Sequence, residues 1–194
     1  MATAAARLQQ ARRLPGVEGV WVFIAADMAM FGLLFVSFML ERQKNLALFE
    51  HSRHTLDANF GGINTLILLT SSWFVVLAVD AAKRNRVQRV APCLAAAMIC
   101  GFAFTVSKAL EYADKLRSGI SMLTNDFYMY YFALTGIHLL HVAAGCVVLA
   151  VLWKRARAGT YNSAQCVGLE CGASYWHMVD LLWILLFPLL YLLR

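Results

Sequence analysis

The sequence predicts an all-α, polytopic membrane protein: a five-transmembrane-helix bundle. Three observations lead there. Of the 194 residues, 61% are hydrophobic and only 14% are charged, well short of the quarter charged in an ordinary soluble domain. The charges cluster between long apolar runs instead of mixing into them. Each run is close to the ~20 residues an α-helix needs to cross ~30 Å of hydrocarbon. Backbone in lipid must satisfy its own hydrogen bonds, so such runs form helices. A barrel would show alternating segments of ~10 residues, and this chain has none.

The elements follow in order. A short basic leader, 1–17, carries Arg7, Arg12 and Arg13, and Pro15-Gly16 breaks it from the first apolar run at 18–40. That run is too long for a signal-peptide core and has no small-residue cleavage site after it, so it reads as a first transmembrane helix. The second helix covers 61–82, with Asn64 placed to cap its first turn. The third spans 90–116, with Pro92 in its first turn, where a missing N–H does no harm. A turn at 117–126 leads to the fourth helix, 127–153. A loop at 155–166 leads to the fifth, about 170–193, in which Pro188 predicts a kink. Residues 18–194 thus make one transmembrane domain, without an internal repeat of the kind transporters show. Aromatics near the span ends, including Trp21, Tyr128, Tyr131, Trp153, Tyr161, Trp176 and Tyr191, fit interfacial belts.

The net charge of +6 tracks loops, which argues for topology and against nucleic acid as a partner. Ten of the 17 Lys and Arg fall in the leader, the 83–89 segment and the 154–157 segment. The positive-inside rule then places the N-terminus in the cytoplasm and the C-terminus outside. The five cysteines form no CxxC or CxxCH, which argues against c-type haem attachment and against a redox dithiol; they read as small apolar fillers.

Ionisable groups inside a span are costly and mark candidate sites. Here they are Asp27, His138, His141, His177 and Asp180, with Lys108, Glu111 and Glu170 at span borders. Counted at ~1.5 Å per residue from the basic side, Asp27, His141 and Asp180 fall at one depth, roughly 14–18 Å in, and His177 one turn nearer the border. Shared depth predicts one hydrogen-bonded polar layer across three helices. His177 with Asp180, and Lys108 with Glu111, are i,i+3 pairs positioned to bond one another. The histidines admit other readings. His141 and His177 could hold a b-type haem; His138, His141 and Asp27 are the nearest approach to a copper or non-haem-iron ligand set, which wants three or more His or carboxylate ligands. Against both stands hydrogen bonding between helices, the ordinary work of polar residues in membranes.

Longer motifs bear on the choice. "YWHMVDLLWILLFPLLYL" at 175–192, containing Tyr175, Trp176, His177, Asp180 and Trp183, resembles the last helix of cytochrome c oxidase subunit III, Y-W-H-x-V-D-x-x-W. "TGIHLLHVAAG" at 135–145 resembles that family's T-G-x-H-x-x-H-V-x-x-G. "GVWVFIAADMAMF" at 19–31, "INTLILLTSS" at 63–72 and "LEY" at 110–112, ending in Tyr112, fill other family positions in order. The chain looks like the short bacterial form. The resemblance implies a non-catalytic subunit with no haem or copper of its own. It implies a haem-containing catalytic subunit I as partner, carrying copper or non-haem iron, with subunit II alongside. Structural phospholipid, support of proton uptake and durable turnover, and residence in the bacterial inner membrane belong to the same picture. Asp27 stands where many members have a carbodiimide-reactive glutamate, and Lys108 where many have glutamine. Both departures, with the "LPGVEGVWVFI" start, look like the NorE branch, encoded beside nitric oxide reductases; the cytochrome c and quinol oxidase branches are the alternative. Outside the family, a b-haem carrier, a small transporter and an assembly factor remain as rival readings.

Overall fold

The computed structural model describes residues 17–163 and 165–193. The basic leader, its Pro15-Gly16 break and Arg194 lie outside them. Six α-helices follow in order: α1 (Glu18–Lys44), α2 (Leu46–Arg53), α3 (Ala58–Lys83), α4 (Val87–Arg117), α5 (Asp126–Arg157) and α6 (Val167–Phe187). A π-helical turn, Pro188–Leu192, closes the chain. Five of the helices are long and apolar enough to cross a membrane, the last including the π turn. Among the described residues there is no strand.

Three local details differ from the sequence reading. Asp57, not Asn64, caps α3, accepting from the Asn59 N–H at 2.8 Å. The helix therefore begins before the apolar run, and Asn64 becomes fully buried. Pro92 lies inside α4, because the polar stretch from Val87 is already helical. At Pro188 the helix widens to a π turn instead of simply kinking, with the Leu193 N–H donating to the Pro188 carbonyl at 2.9 Å. The ring has no N–H for the regular ladder, and wider spacing is one way to absorb the loss. The short amphipathic α2, absent from the sequence reading, tucks Phe49 and Ser52 under the bundle end.

Helices α3, α4, α5 and α6 form the body, each packed on its sequence neighbour and α3 also on α6. The small α1 interface lies on α5 and α6, and only Phe31 and Phe38 of α1 are buried. Chain direction alternates. One end of the bundle, here the N-terminal face, gathers the starts of α1, α4 and α6 and the ends of α3 and α5. The C-terminal face carries α2 and the π turn.

Small residues let the backbones close in. A Cβ on Gly145 would lie 2.7 Å from the Trp176 ring, and one on Gly101 2.8 Å from its far edge. Trp176 is thus wedged between α4 and α5, and its indole N–H donates to Ser71 Oγ on α3 at 3.1 Å. Ser71 in turn donates to the Ala97 carbonyl at 2.9 Å. One side chain from α6 therefore ties all four helices. Tyr128, Tyr131, Tyr161, Trp176 and Tyr191 are all buried. They are core residues, not an interfacial belt: Trp176 fills the space left by Gly101 and Gly145, and Tyr191 packs at Gly61.

Candidate functional site

The polar residues singled out in sequence separate into three groups. In the first, α1 brings Asp27 to α5, where its carboxylate lies 3.3 Å from His141 Nε2. Both side chains are largely buried, at 14% and 17% exposure. His141 Nδ1 lies 2.8 Å from the Ile137 carbonyl. A carbonyl only accepts, so Nδ1 carries the hydrogen and Nε2 is the atom turned to Asp27. Phe31 packs edge-on against the imidazole and the Tyr175 hydroxyl donates to the His141 carbonyl. Asp27 therefore faces α5.

In the second group, His177 Nδ1 is 2.6 Å from Ser72 Oγ on α3. Asp180, one helical turn further along α6, is 4% exposed. Neither Asp180 oxygen meets standard hydrogen-bond geometry among the described residues. His177 and Asp180 do not pair with each other: Ser72 reaches across from α3 and takes the imidazole. The single layer expected from depth is thus two separate groups, with no hydrogen bond recorded between them.

His138 belongs to neither. It is fully buried, stacked on Trp183 at 5.2 Å and edge-on to Phe104 at 5.7 Å. The histidines thus turn to three different neighbours. Among the described residues, no three His, Cys, Asp or Glu converge as a metal site would require.

The third group lies toward the C-terminal face. Lys108, 1% exposed, donates to Glu111 Oε2 at 3.0 Å and to the Tyr191 and Tyr131 hydroxyls at 3.0 and 3.3 Å. Glu111 Oε1 accepts from the same two hydroxyls, each at 2.6 Å. Rings of Tyr112, Tyr131, Trp183 and Tyr191 surround the ammonium at 5.1–5.7 Å, within cation–π range. Tyr112 extends the group to Thr135 of α5. Arg53 of α2 donates to the Tyr191 carbonyl at 3.1 Å, so α2 reaches this group too. At the opposite face Glu170 pairs with Lys83 at 2.7 Å.

Sequence reasoning found Lys108, Glu111 and Tyr112 as site residues but not Tyr131, Tyr191 or Ser72. Tyr131 sits four residues before Thr135 of the T-G motif, one helical turn away on the same face. That spacing was the available signal.

With this geometry in hand, comparison with known proteins is informative. The model of one family, cytochrome c oxidase subunit III, matches residues 15–193. The chain belongs to the cytochrome c oxidase subunit III family. A cytochrome c oxidase subunit 3 of Thermostichus vulcanus is 33% identical, over 91% of this chain and 87% of that protein. A cytochrome bo(3) ubiquinol oxidase subunit 3 of Buchnera aphidicola is 25% identical, over 90% and 84%. A protein of Aeropyrum pernix named haem-copper oxidase subunit I+III is 29% identical over 90% of this chain and 22% of its own length. This subunit III is thus a multi-pass bacterial membrane protein of the haem-copper oxidase class.

Proposed function

We propose that this subunit III is a non-catalytic part of a haem-copper oxidoreductase: it binds no redox metal itself and packs against a haem-containing catalytic subunit I. The divergence of its interior histidines carries the reading. A bis-histidine haem needs two imidazoles facing one another, and a copper or non-haem-iron site needs three convergent ligands. Here His141 turns to Asp27, His177 to Ser72 and His138 to Trp183. The name of the Aeropyrum protein, which joins subunits I and III, supports a partner of the subunit I type. The exposed apolar side of α1 offers phospholipid a shallow groove, lined by Val20, Phe23, Val148 and Tyr175. The loop charges orient the N-terminal face to the cytoplasm.

The test is purification in mild detergent from the native membrane. A tagged chain should bring down a haem-absorbing partner, while the chain expressed alone should be colourless. A Soret band in the isolated chain would overturn the reading.

The finer assignment is to the NorE branch, beside a nitric oxide reductase. Two residues favour it, Asp27 in place of glutamate and Lys108 in place of glutamine. It predicts a co-purified partner with non-haem iron and no copper, reducing nitric oxide. A copper-containing partner that reduces oxygen would move the chain to the cytochrome c or quinol oxidase branch.

A further inference from the structure

A groove of about 330 Å³ runs between α3 and α6 at the N-terminal face. Its mouth is polar: Lys83 pairs with Glu170 at 2.7 Å, and Asp80 with Arg84 at 2.9 Å. Its walls are Val76, Val79 and Ala173, and Ser174 and His177 also line it. At ~30 Å³ per water, the space matches about ten molecules. Beyond His177 the polar contacts continue into the bundle. The imidazole Nδ1 is 2.6 Å from Ser72 Oγ, and the buried Asp180 lies one helical turn beyond His177 on the same face of α6. On its α1 side His177 lines a second cavity together with Trp21, Ile24 and Met28, none of them charged. The charged groups near this route are therefore those of the groove mouth.

Asp180 carries the argument. A carboxyl this far buried is expensive to place in a bilayer and is ordinarily matched by hydrogen bonds or a cation. Asp180 has neither oxygen in hydrogen-bond geometry with a described residue. Packing does not need a carboxyl there, since a residue such as leucine fills the same role at no desolvation cost. An open groove that ends at a hydrogen-bonded His177–Ser72 pair, with a lone buried carboxyl one helical turn further on, is instead the layout of a proton route.

We propose that the α3–α6 groove is a proton inlet, in which His177 and Ser72 pass protons between the N-terminal face and the Asp180 carboxyl. A hydronium in the groove gives its proton to His177 Nε2 and becomes water. His177 releases its Nδ1 proton to Ser72 Oγ as the Ser72 proton moves to Asp180, whose carboxylate becomes a carboxylic acid. Charge and atoms balance, no electron moves, and the reverse sequence returns the proton. The inlet is separate from the Asp27–His141 pair, and it holds whether the partner reduces oxygen or nitric oxide.

The test uses the full chain in proteoliposomes of known orientation. The Asp180 carboxyl stretch is assigned by its loss in Asp180→Asn, and pH is stepped on one side under infrared detection. Acidifying the N-terminal side should bring up the band, and acidifying the C-terminal side should not. Ser72→Ala should slow the response at least tenfold. Val79→Trp, which plugs the groove and leaves all three stations in place, should slow it similarly. A band that answers equally from both sides, answers at the parental rate in both variants, or never answers overturns the inlet.

Discussion

The Lys108 ammonium and the Tyr191 hydroxyl lie 3.0 Å apart, joined across 83 residues of sequence. Between them sits Glu111, so one buried charge pair fixes α4, α5 and the π turn together. Removing one member of such a pair leaves the other uncompensated, at a cost of about 3–5 kcal/mol. Lys108→Met should therefore lower the thermal midpoint in detergent strongly. Lys108→Gln keeps an N–H donor for Glu111 and should lose much less. Equal losses would show that an N–H donor does not replace the ammonium and that its charge is what holds Glu111.

Asp27 and His141 form the only carboxylate–imidazole contact described between α1 and another helix. With so little of α1 buried, that contact weighs heavily in docking it. A double-mutant cycle of Asp27→Asn and His141→Gln should return a coupling of about 0.5–3 kcal/mol, the range for residues in contact. Cysteine cross-linking between α1 and α5 reports the same event: the single variants should loosen it. Additive effects in the cycle would show that the pair is adjacent but uncoupled.

The Trp176 wedge makes a sharp prediction at Gly145. A methyl there would sit 2.7 Å from a rigid indole that is itself held by Ser71. The ring cannot swing aside without breaking that bond, so Gly145→Ala should cost about 1–3 kcal/mol as overpacking. Tryptophan fluorescence should shift with it. An unchanged melting point would mean that the helices separate easily at this level.

How much of this was legible in sequence depended on the distance each feature spans. The five spans were readable because hydropathy and length act locally. Lys108 with Glu111 was readable because i,i+3 spacing is a property of one helix. The partner of His177 was not. Its neighbour by spacing is Asp180, but Ser72 lies 105 residues away and wins because α3 packs directly against α6. The aromatics misled for a related reason. Position along a span gives depth but not azimuth, and Tyr131 and Tyr191 turn inward to Glu111 where a belt residue would turn to the headgroups. The final glycine of the T-G-x-H motif and the tryptophan of the Y-W-H motif were both visible as letters. Only packing shows that Gly145 and Trp176 are one feature.

The last prediction concerns acid and the short helix α2. Glu50 pairs with Arg53 at 2.6 Å, and that guanidinium also holds the Tyr191 carbonyl at 3.1 Å. The hydrogen bond from Arg53 pulls the Glu50 carboxyl below its ordinary value of 4.5. A depressed carboxyl favours the docked state above its ordinary value, and that contribution disappears as pH falls through the lowered one. Docking of α2 should therefore be insensitive to pH from neutral down to about 4.5 and weaken below it. Screening at this exposed pair keeps the effect small, and added salt should shrink it further. Hydrogen exchange of residues 46–53, followed from neutral to acid pH, reads it directly. Protection factors, corrected for the intrinsic slowing of amide exchange in acid, should fall below 4.5 in the parent, and Glu50→Gln should show the lower protection already at neutral pH and lose that acid step. If the variant keeps the step, the Glu50–Arg53 pair does not control the docking of α2.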